Sequence, residues 1–185
     1  EKGALFPWRT IDGDETSAYF PAGTAQYHIN ADIVYAMEKY CNASGDDEFR
    51  YTQLIETAVE TARLWVSLGH FGQDGRFRIQ SVTGPDEYTA LVDNNCYTNL
   101  MAANNLLLAA RLCTSLQQKD SVKYSALCER VHIQDTEVGI WEKAAKNMYV
   151  PYDKQSGIYP QDDSFMSKEV WDFDATPKDK YPLLL

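Results

Sequence analysis

The chain has 185 residues, of which 44% are hydrophobic and 24% are charged. This apolar content is too high for a disordered chain and is enough to bury the core of one packed domain. The formal net charge of −10 argues against nucleic-acid binding, because nucleic-acid phosphates select surfaces rich in Lys and Arg. No apolar run approaches the ~20 residues that a membrane helix needs. We therefore predict neither a nucleic-acid nor a membrane partner.

Residues 1–22 predict an irregular segment that is rich in aromatic side chains. It contains Phe-Pro-Trp-Arg at 6–9, a turn at Asp12-Gly13, and Tyr19-Phe20. These rings either cover a core or line a groove. Trp and Tyr rings suit the apolar faces of sugars, and a neighbouring Arg can bond to hydroxyl groups. Both interpretations stay open at this point.

Hydrophobic residues at spacings of three and four predict five helices, over residues 24–40, 48–69, 94–118, 120–131 and 135–149. Gly45 and Gly69 stand just past the first two helices, where glycine often ends a helix. Turn residues predict small hairpins at 70–83 and 149–161. Because there is no alternation of strands and helices, we predict an all-α fold with small inserted β-hairpins.

Two polar side chains, His28 and Asn30, stand near the start of the first predicted helix and close in sequence to the aromatic segment. A lone histidine on such a helix usually has a structural role. The alternative is that His28 contributes to a pocket together with the aromatic rings.

Four cysteines, Cys41, Cys96, Cys113 and Cys128, stand at no metal-binding or redox spacing. Each lies in or near a predicted helix. We therefore predict buried, reduced thiols in a cytoplasmic protein, and no metal site.

The stretch 77–98 carries the best candidate for chemistry. A short alternating run is broken at Gly84-Pro85, and Pro85 keeps the loop from joining the following helix. Within this loop Glu87 stands between Asp86 and Tyr88, and a stiff turn with an acid beside an aromatic ring can hold a proton donor over a substrate. The alternative is that Asp86 caps the turn and Glu87 is a solvated loop acid.

Other common catalytic patterns are missing from the sequence. It has no phosphate-binding Gly-rich loop, no Gly-x-Ser-x-Gly and no paired-His metal motif. Glu87 therefore remains the strongest single candidate for a catalytic group.

Several sequence blocks, taken together and in order, are similar to one enzyme family. Two of the blocks are Phe-Pro-Trp-Arg, within residues 3–10, and Gly-Pro-Asp-Glu-Tyr, within residues 82–89. The other blocks are residues 27–33, 60–65, 94–95, 160–162 and 171–173. In this order they resemble glycoside hydrolase family sixty-five over the whole chain. That family consists mainly of inverting disaccharide phosphorylases.

The resemblance implies an (α/α)6-barrel catalytic domain that is flanked by β-rich domains. Residues 1–185 would then be a fragment of this barrel, and the exposed apolar run at 183–185 fits such a fragment. We expect the fragment alone to be inactive, because the family's phosphate-binding residues would lie outside it. The parent protein is expected to be a homodimer.

The resemblance also assigns roles to residues. Glu87 would be the general acid, and inorganic phosphate, the co-substrate, would attack the anomeric carbon, so that no second acid and no other cofactor is needed. The substrate-binding residues would be Trp8, Arg9, His28, Asn30, Asp86 and Tyr88. A disaccharide of the trehalose type would yield β-glucose 1-phosphate and glucose.

Two other functions remain open at the level of the sequence. A hydrolase of the same family would use water and a second acid, for which Asp86, Asp93 and Asp162 are available. A non-catalytic sugar-binding helical domain would not depend on Glu87 at all.

Overall fold

The computed structural model of the chain describes residues 2–16, 25–86 and 90–181, and these residues form a mainly helical fold. The α-helices are α1 (His28–Ser44), α2 (Asp47–Phe49), α3 (Ile55–Leu68), α4 (Cys96–Lys119), α5 (Ser121–Val131) and α6 (Glu137–Lys146). A π-helical segment, Arg50–Leu54, joins α2 to α3, and short 3₁₀ turns occur at Phe165–Ser167 and Lys178–Lys180.

All five predicted helical runs are present, but several of their ends differ from the prediction. The first helix begins at His28 rather than near residue 24, and it ends before Gly45, whose φ of 70° is left-handed. The predicted helix 48–69 contains the π-helical segment, which hydrophobic spacing does not indicate. The predicted helix 135–149 ends at Lys146. It ends early because residues 147–149 bond instead to Phe77, whose N donates to Asn147 O and whose O accepts from Tyr149 N, both at 2.8 Å.

The strands are short and form two antiparallel hairpins. Strands β1 (Thr10–Ile11) and β2 (Asp14–Glu15) flank the predicted turn, and β3 (His70–Phe71) pairs with β4 (Phe77–Arg78). The alternating run that begins at Phe77 was predicted to extend further, but Ser81 has a φ of 56°, which is not strand geometry. The predicted hairpin at 149–161 is reduced to one bridge between Asp153 and Ile158.

Helix α4 lies at the centre of the fold and packs against α1, α3, α5 and α6. It therefore buries residues on more than one side, among them Ala102 and Leu106 on one side and Leu108 and Leu112 on the other. Fully buried Trp65 of α3 contacts α4 through its indole Nε1, which donates to Asn105 Oδ1 at 2.9 Å. The core thus includes a satisfied polar pair, as buried polar groups require.

Arg63 of α3 fixes the position of α6 and of the turn that precedes it. Its guanidinium donates to both carboxylate oxygens of Glu137 at 2.8 Å, and to the backbone oxygens of Val131 at 2.8 Å and His132 at 3.1 Å. A bidentate arginine pair of this kind adds geometric specificity as well as energy.

The cysteines are free, and Cys41 and Cys113 are buried while Cys96 and Cys128 are half-buried. Burial raises the pKa of Cys113 to about 12, so its thiol stays protonated at neutral pH.

Within the described ranges, no group of three or more His, Cys, Asp or Glu side chains could hold a metal ion. Among the helices of the described residues, none combines the length and the apolar character needed to cross a membrane.

Candidate active site

The loop at residues 83–91 is closed at its base by paired backbone groups. Val82 and Val92 exchange two hydrogen bonds, of 3.0 Å and 2.8 Å, and Thr83 Oγ1 donates to Ala90 O. Thr83 N also donates to Ala25 O at 3.1 Å, which joins this base to the start of α1. The predicted acid Glu87 and its neighbour Tyr88 lie outside the described residues. The structure therefore describes the base of the loop in which Glu87 and Tyr88 stand.

Asn95 connects three parts of the chain below this loop. It caps α4, where its Oδ1 accepts from Thr98 N at 3.0 Å, and its Nδ2 donates to Gln161 O at 3.2 Å. A Cβ at Gly84 would lie 2.5 Å from that same Nδ2. Only glycine therefore fits where the loop begins.

Asp86, which was predicted to bind substrate, is exposed, and its Oδ2 accepts from Gln161 Nε2. Gln161 is itself held in place, because its backbone oxygen accepts from Cys96 N at 2.9 Å. Asp86 thus ties the loop to the segment beyond α6, and its contact with substrate stays a prediction.

The other acids near this loop are hydrogen-bonded to neighbouring protein groups. Asp93 Oδ1 accepts from Ser81 N at 2.9 Å, and Asp163 Oδ2 accepts from Asn94 Nδ2 at 2.6 Å. Asp162 is buried, and its Oδ1 accepts from Ser164 N at 2.8 Å and from Ser164 Oγ at 2.6 Å. A cleft of about 510 Å³ beside the loop is lined in part by Asp93 and Asp163.

Trp8 lies in the amino-terminal segment, where one carboxylate holds the backbone. Trp8 N and Arg9 N donate to the two oxygens of Glu15, at 2.6 Å and 3.3 Å. Trp8 is half-buried and lines a cleft of about 360 Å³ together with Gln26, whereas Arg9 is exposed. Indole Nε1 of Trp8 is buried and has no hydrogen-bond partner among the residues that the structure describes.

Asn30 fastens this segment to α1. Its Oδ1 accepts from Phe6 N at 2.8 Å and its Nδ2 donates to Ala4 O at 2.8 Å, and the residue is fully buried. The side chain of Asn30 therefore supports the segment that carries Trp8, and its contact with substrate stays a prediction.

His28, the first residue of α1, is also buried, with an exposed fraction of 3%. Its Nδ1 lies 2.8 Å from Asp32 Oδ2 and its Nε2 lies 3.3 Å from Gln26 Oε1. Its ring makes T-shaped contacts with the rings of Trp8 and Tyr97, with centroid distances of 5.9 Å and 5.8 Å.

Sequence reasoning did not assign a role to Asp32 or Tyr97, although both belong to this cluster. Tyr97 Oη donates to Asp32 Oδ1 at 2.7 Å. Burial, together with the hydrogen bond to Asp32 and its charge, raises the pKa of Tyr97 to about 12, so the hydroxyl remains a donor. The spacing of four between His28 and Asp32 is a helical signal that could have found Asp32, whereas Tyr97 is 65 residues further along the chain.

The structure thus places Trp8, His28 and Asn30 around the amino-terminal end of α1, close to the start of α4. The aromatic cluster of Trp8, His28 and Tyr97 lies there, and the base of the loop at 83–91 is joined to the same region through Ala25 and Asn95. The model of the glycosyl hydrolase family 65 central catalytic domain matches residues 1–185, which is the whole chain.

The chain belongs to glycoside hydrolase family 65. The family predicted from the sequence blocks is therefore confirmed. Over 184 and 186 residues, the chain is 53% identical to the alpha,alpha-trehalose phosphorylases of Geobacillus stearothermophilus and Thermoanaerobacter brockii. Each of these alignments covers 100% of this chain and 24% of the relative, so the chain spans about a quarter of their length.

A solved structure described as a candidate kojibiose phosphorylase from the human microbiome is similar in fold. It superimposes with a TM-score of 0.83 at 26% sequence identity, over 97% of this chain and 26% of that one. The mainly helical architecture is therefore that of a phosphorylase domain of this family.

Proposed function

We propose that this chain is part of a phosphorylase that cleaves a disaccharide of the trehalose type with inorganic phosphate. The observation that carries the proposal is the 53% identity to two trehalose phosphorylases along the entire chain. The products would be β-glucose 1-phosphate and glucose. In the intact protein these helices would form part of an (α/α)6 barrel between β-rich domains, in a cytoplasmic homodimer.

Glu87 would act as the general acid. It gives its proton to the glycosidic oxygen as the bond from that oxygen to the anomeric carbon breaks, and a phosphate oxygen bonds to the same carbon from the opposite face. The configuration at that carbon is inverted, and Glu87 is re-protonated before the next turnover. The closed base of the loop, with Val82 paired to Val92, supports this role.

The identity to two trehalose phosphorylases supports phosphate rather than water as the nucleophile. An inverting hydrolase needs a second carboxylate that is free to accept a proton from water. Among the acids near the loop, Asp86, Asp93 and Asp163 each accept a hydrogen bond from a neighbouring protein group, and Asp162 is buried against Ser164. Phosphate arrives as an anion and requires no such base.

The test is to incubate the full-length protein with trehalose, kojibiose, nigerose and maltose, with and without phosphate. We expect β-glucose 1-phosphate, identified by the NMR coupling of its anomeric proton, only when trehalose and phosphate are both present. Release of glucose without phosphate would instead indicate a hydrolase, and binding of sugar with no turnover would indicate a non-catalytic domain.

A matched pair of variants tests the role of Glu87. Glu87→Gln keeps the shape of the side chain but cannot supply the proton, and we expect kcat to fall by about 10²- to 10⁴-fold. Glu129→Gln makes the same change at an exposed position on α5 and should leave kcat unaltered. A Glu87→Gln enzyme as fast as the unmodified one would overturn the assignment.

A further inference from the structure

His28 is deeply buried, yet its ring contacts two aromatic rings that are nearer the surface. Its exposed fraction is 3%, whereas Tyr97 is 41% exposed and Trp8 is half-buried. His28 can therefore act on a bound substrate through its contacts with these rings.

The orientation of the His28 ring is fixed at both of its nitrogens. Asp32 accepts at Nδ1, and the side-chain amide of Gln26 lies at Nε2. The second oxygen of Asp32 accepts from Tyr97, so one carboxylate joins the first turns of α1 and α4. An imidazole held at two points cannot rotate without breaking a bond to a partner.

The indole of Trp8 has fewer constraints. Its backbone is held by Glu15, but its Nε1 has no hydrogen-bond partner within the described part of the chain. Among the described residues, packing orients the ring, and the edge-on contact with His28 is part of that packing.

We propose that His28, Asp32 and Tyr97 form a positioning unit that sets the angle of the Trp8 indole against the departing sugar. The inference rests on the proposed function and on the predicted contact of Trp8 with substrate. The effect of the positioning unit is on how well the disaccharide fits, and not on the proton transfer from Glu87.

Tyr97→Phe tests the unit with a minimal change, because it keeps the ring beside His28 and removes only the bond to Asp32. In the full-length protein, we expect the KM for disaccharide to rise about three- to tenfold, the range set by the net value of one hydrogen bond. Since the proton donor is untouched, kcat should stay within about twofold, and the KM for phosphate should not change.

The matched control is Tyr40→Phe, which removes a similar hydroxyl-to-carboxylate bond at the other end of α1. Tyr40 Oη donates to Asp46 Oδ2 at 3.2 Å. A general loosening of α1 would raise the KM in both variants, whereas a positioning role raises it in Tyr97→Phe alone. Equal KM values in Tyr97→Phe and the unmodified enzyme would overturn the proposal.

A second measurement does not depend on activity. In protein labelled with 5-fluorotryptophan, the Trp8 signal is assigned by its loss in Trp8→Phe, and Tyr97→Phe or Asp32→Asn is expected to shift or broaden that signal alone. An unchanged Trp8 signal would refute the positioning unit even in an active enzyme. A protein with no phosphorolysis but a shifted Trp8 signal would refute the proposed function and leave the positioning unit standing.

Discussion

Gly84 lies directly against the side-chain amide of Asn95, so that a Cβ at Gly84 would be 2.5 Å from Asn95 Nδ2. Asn95 cannot move away easily, because the same side chain caps α4 and bonds to Gln161 O. The start of the loop that bears Glu87 is therefore set by the amino-terminal end of the central helix.

Gly84→Ala is expected to displace the loop or to break the cap of α4. Overpacking of this kind costs about 1–3 kcal/mol. Because Glu87 stands three residues further on, we expect kcat of the full-length enzyme to fall at least tenfold, a loss that steady-state kinetics would detect. Gly139→Ala, on an exposed face of α6 where a Cβ meets nothing within 4 Å, should leave kcat unchanged. Equal activity in the two alanine variants would contradict this account.

Asn30→Ala is expected to release the segment that carries Trp8. It leaves Phe6 N and Ala4 O without the partners they have in the structure, at a cost of about 1–3 kcal/mol. Amide hydrogen exchange should then show faster exchange in residues 4–9. Asn42→Ala removes only an exposed bond to Arg50, of 3.2 Å, and no faster exchange at 4–9 is expected from it.

Arg63→Met removes the cation between α3 and α6 and leaves Glu137 without its partner. Removing one side of a largely buried ion pair costs about 3 kcal/mol, and hydrogen exchange in α6 should reveal it. Arg130 also pairs with a glutamate, Glu56, but both side chains are about half exposed. Arg130→Met should therefore cost no more than about 1 kcal/mol. Similar losses in both variants would show that burial does not set the strength of these pairs.

The lowered pKa of Glu137 predicts that the stability contributed by its ion pair with Arg63 depends on pH. Burial by itself raises the pKa of Glu137, but hydrogen bonds donated by Arg63 and by Gln134 N outweigh it and hold the pKa below the ordinary 4.5. A carboxylate whose pKa is lower in the folded protein adds stability above its unfolded pKa, and this stability is lost as the pH falls through the folded value.

The Glu137→Gln variant should therefore be less stable than the unmodified protein from pH 7 down to about pH 5. The difference in stability between the two proteins should become smaller below about pH 4. Thermal unfolding midpoints measured across this range would show it. Glu142→Gln, in an exposed pair with Lys146, is expected to change stability by less than about 1 kcal/mol at pH 7. A gap that widens toward acid pH would contradict the assigned direction.

Much of the helical layout could be predicted because its signals are local. Apolar spacing along the chain located the helix that begins near Asp47, and Gly45 marked the end of α1. The ends that were missed depend on partners elsewhere. After the helix that ends at Lys146, the backbone forms hydrogen bonds with Phe77, and no residue type near position 146 indicates them.

The candidate site divides in the same way. Trp8 and Glu87 stand in short motifs that point to the family, but the sequence gives no sign that the side chain of Asn30 bonds to the backbone of Ala4 and Phe6. A buried anchor and a ligand-binding amide have the same residue type, so only the burial of the side chain separates them.

The sequence by itself determined that the chain is helical, that its motifs are those of one glycosidase family, and that one loop acid is the best candidate for proton transfer. Only the tertiary structure decided that Tyr97 bonds to Asp32 across 65 residues and that Gln161 bonds to Asp86 across 75. The reason is physical: helix spacing and turn residues act between near neighbours, whereas contacts between distant residues are fixed by how the helices pack and leave no period along the chain.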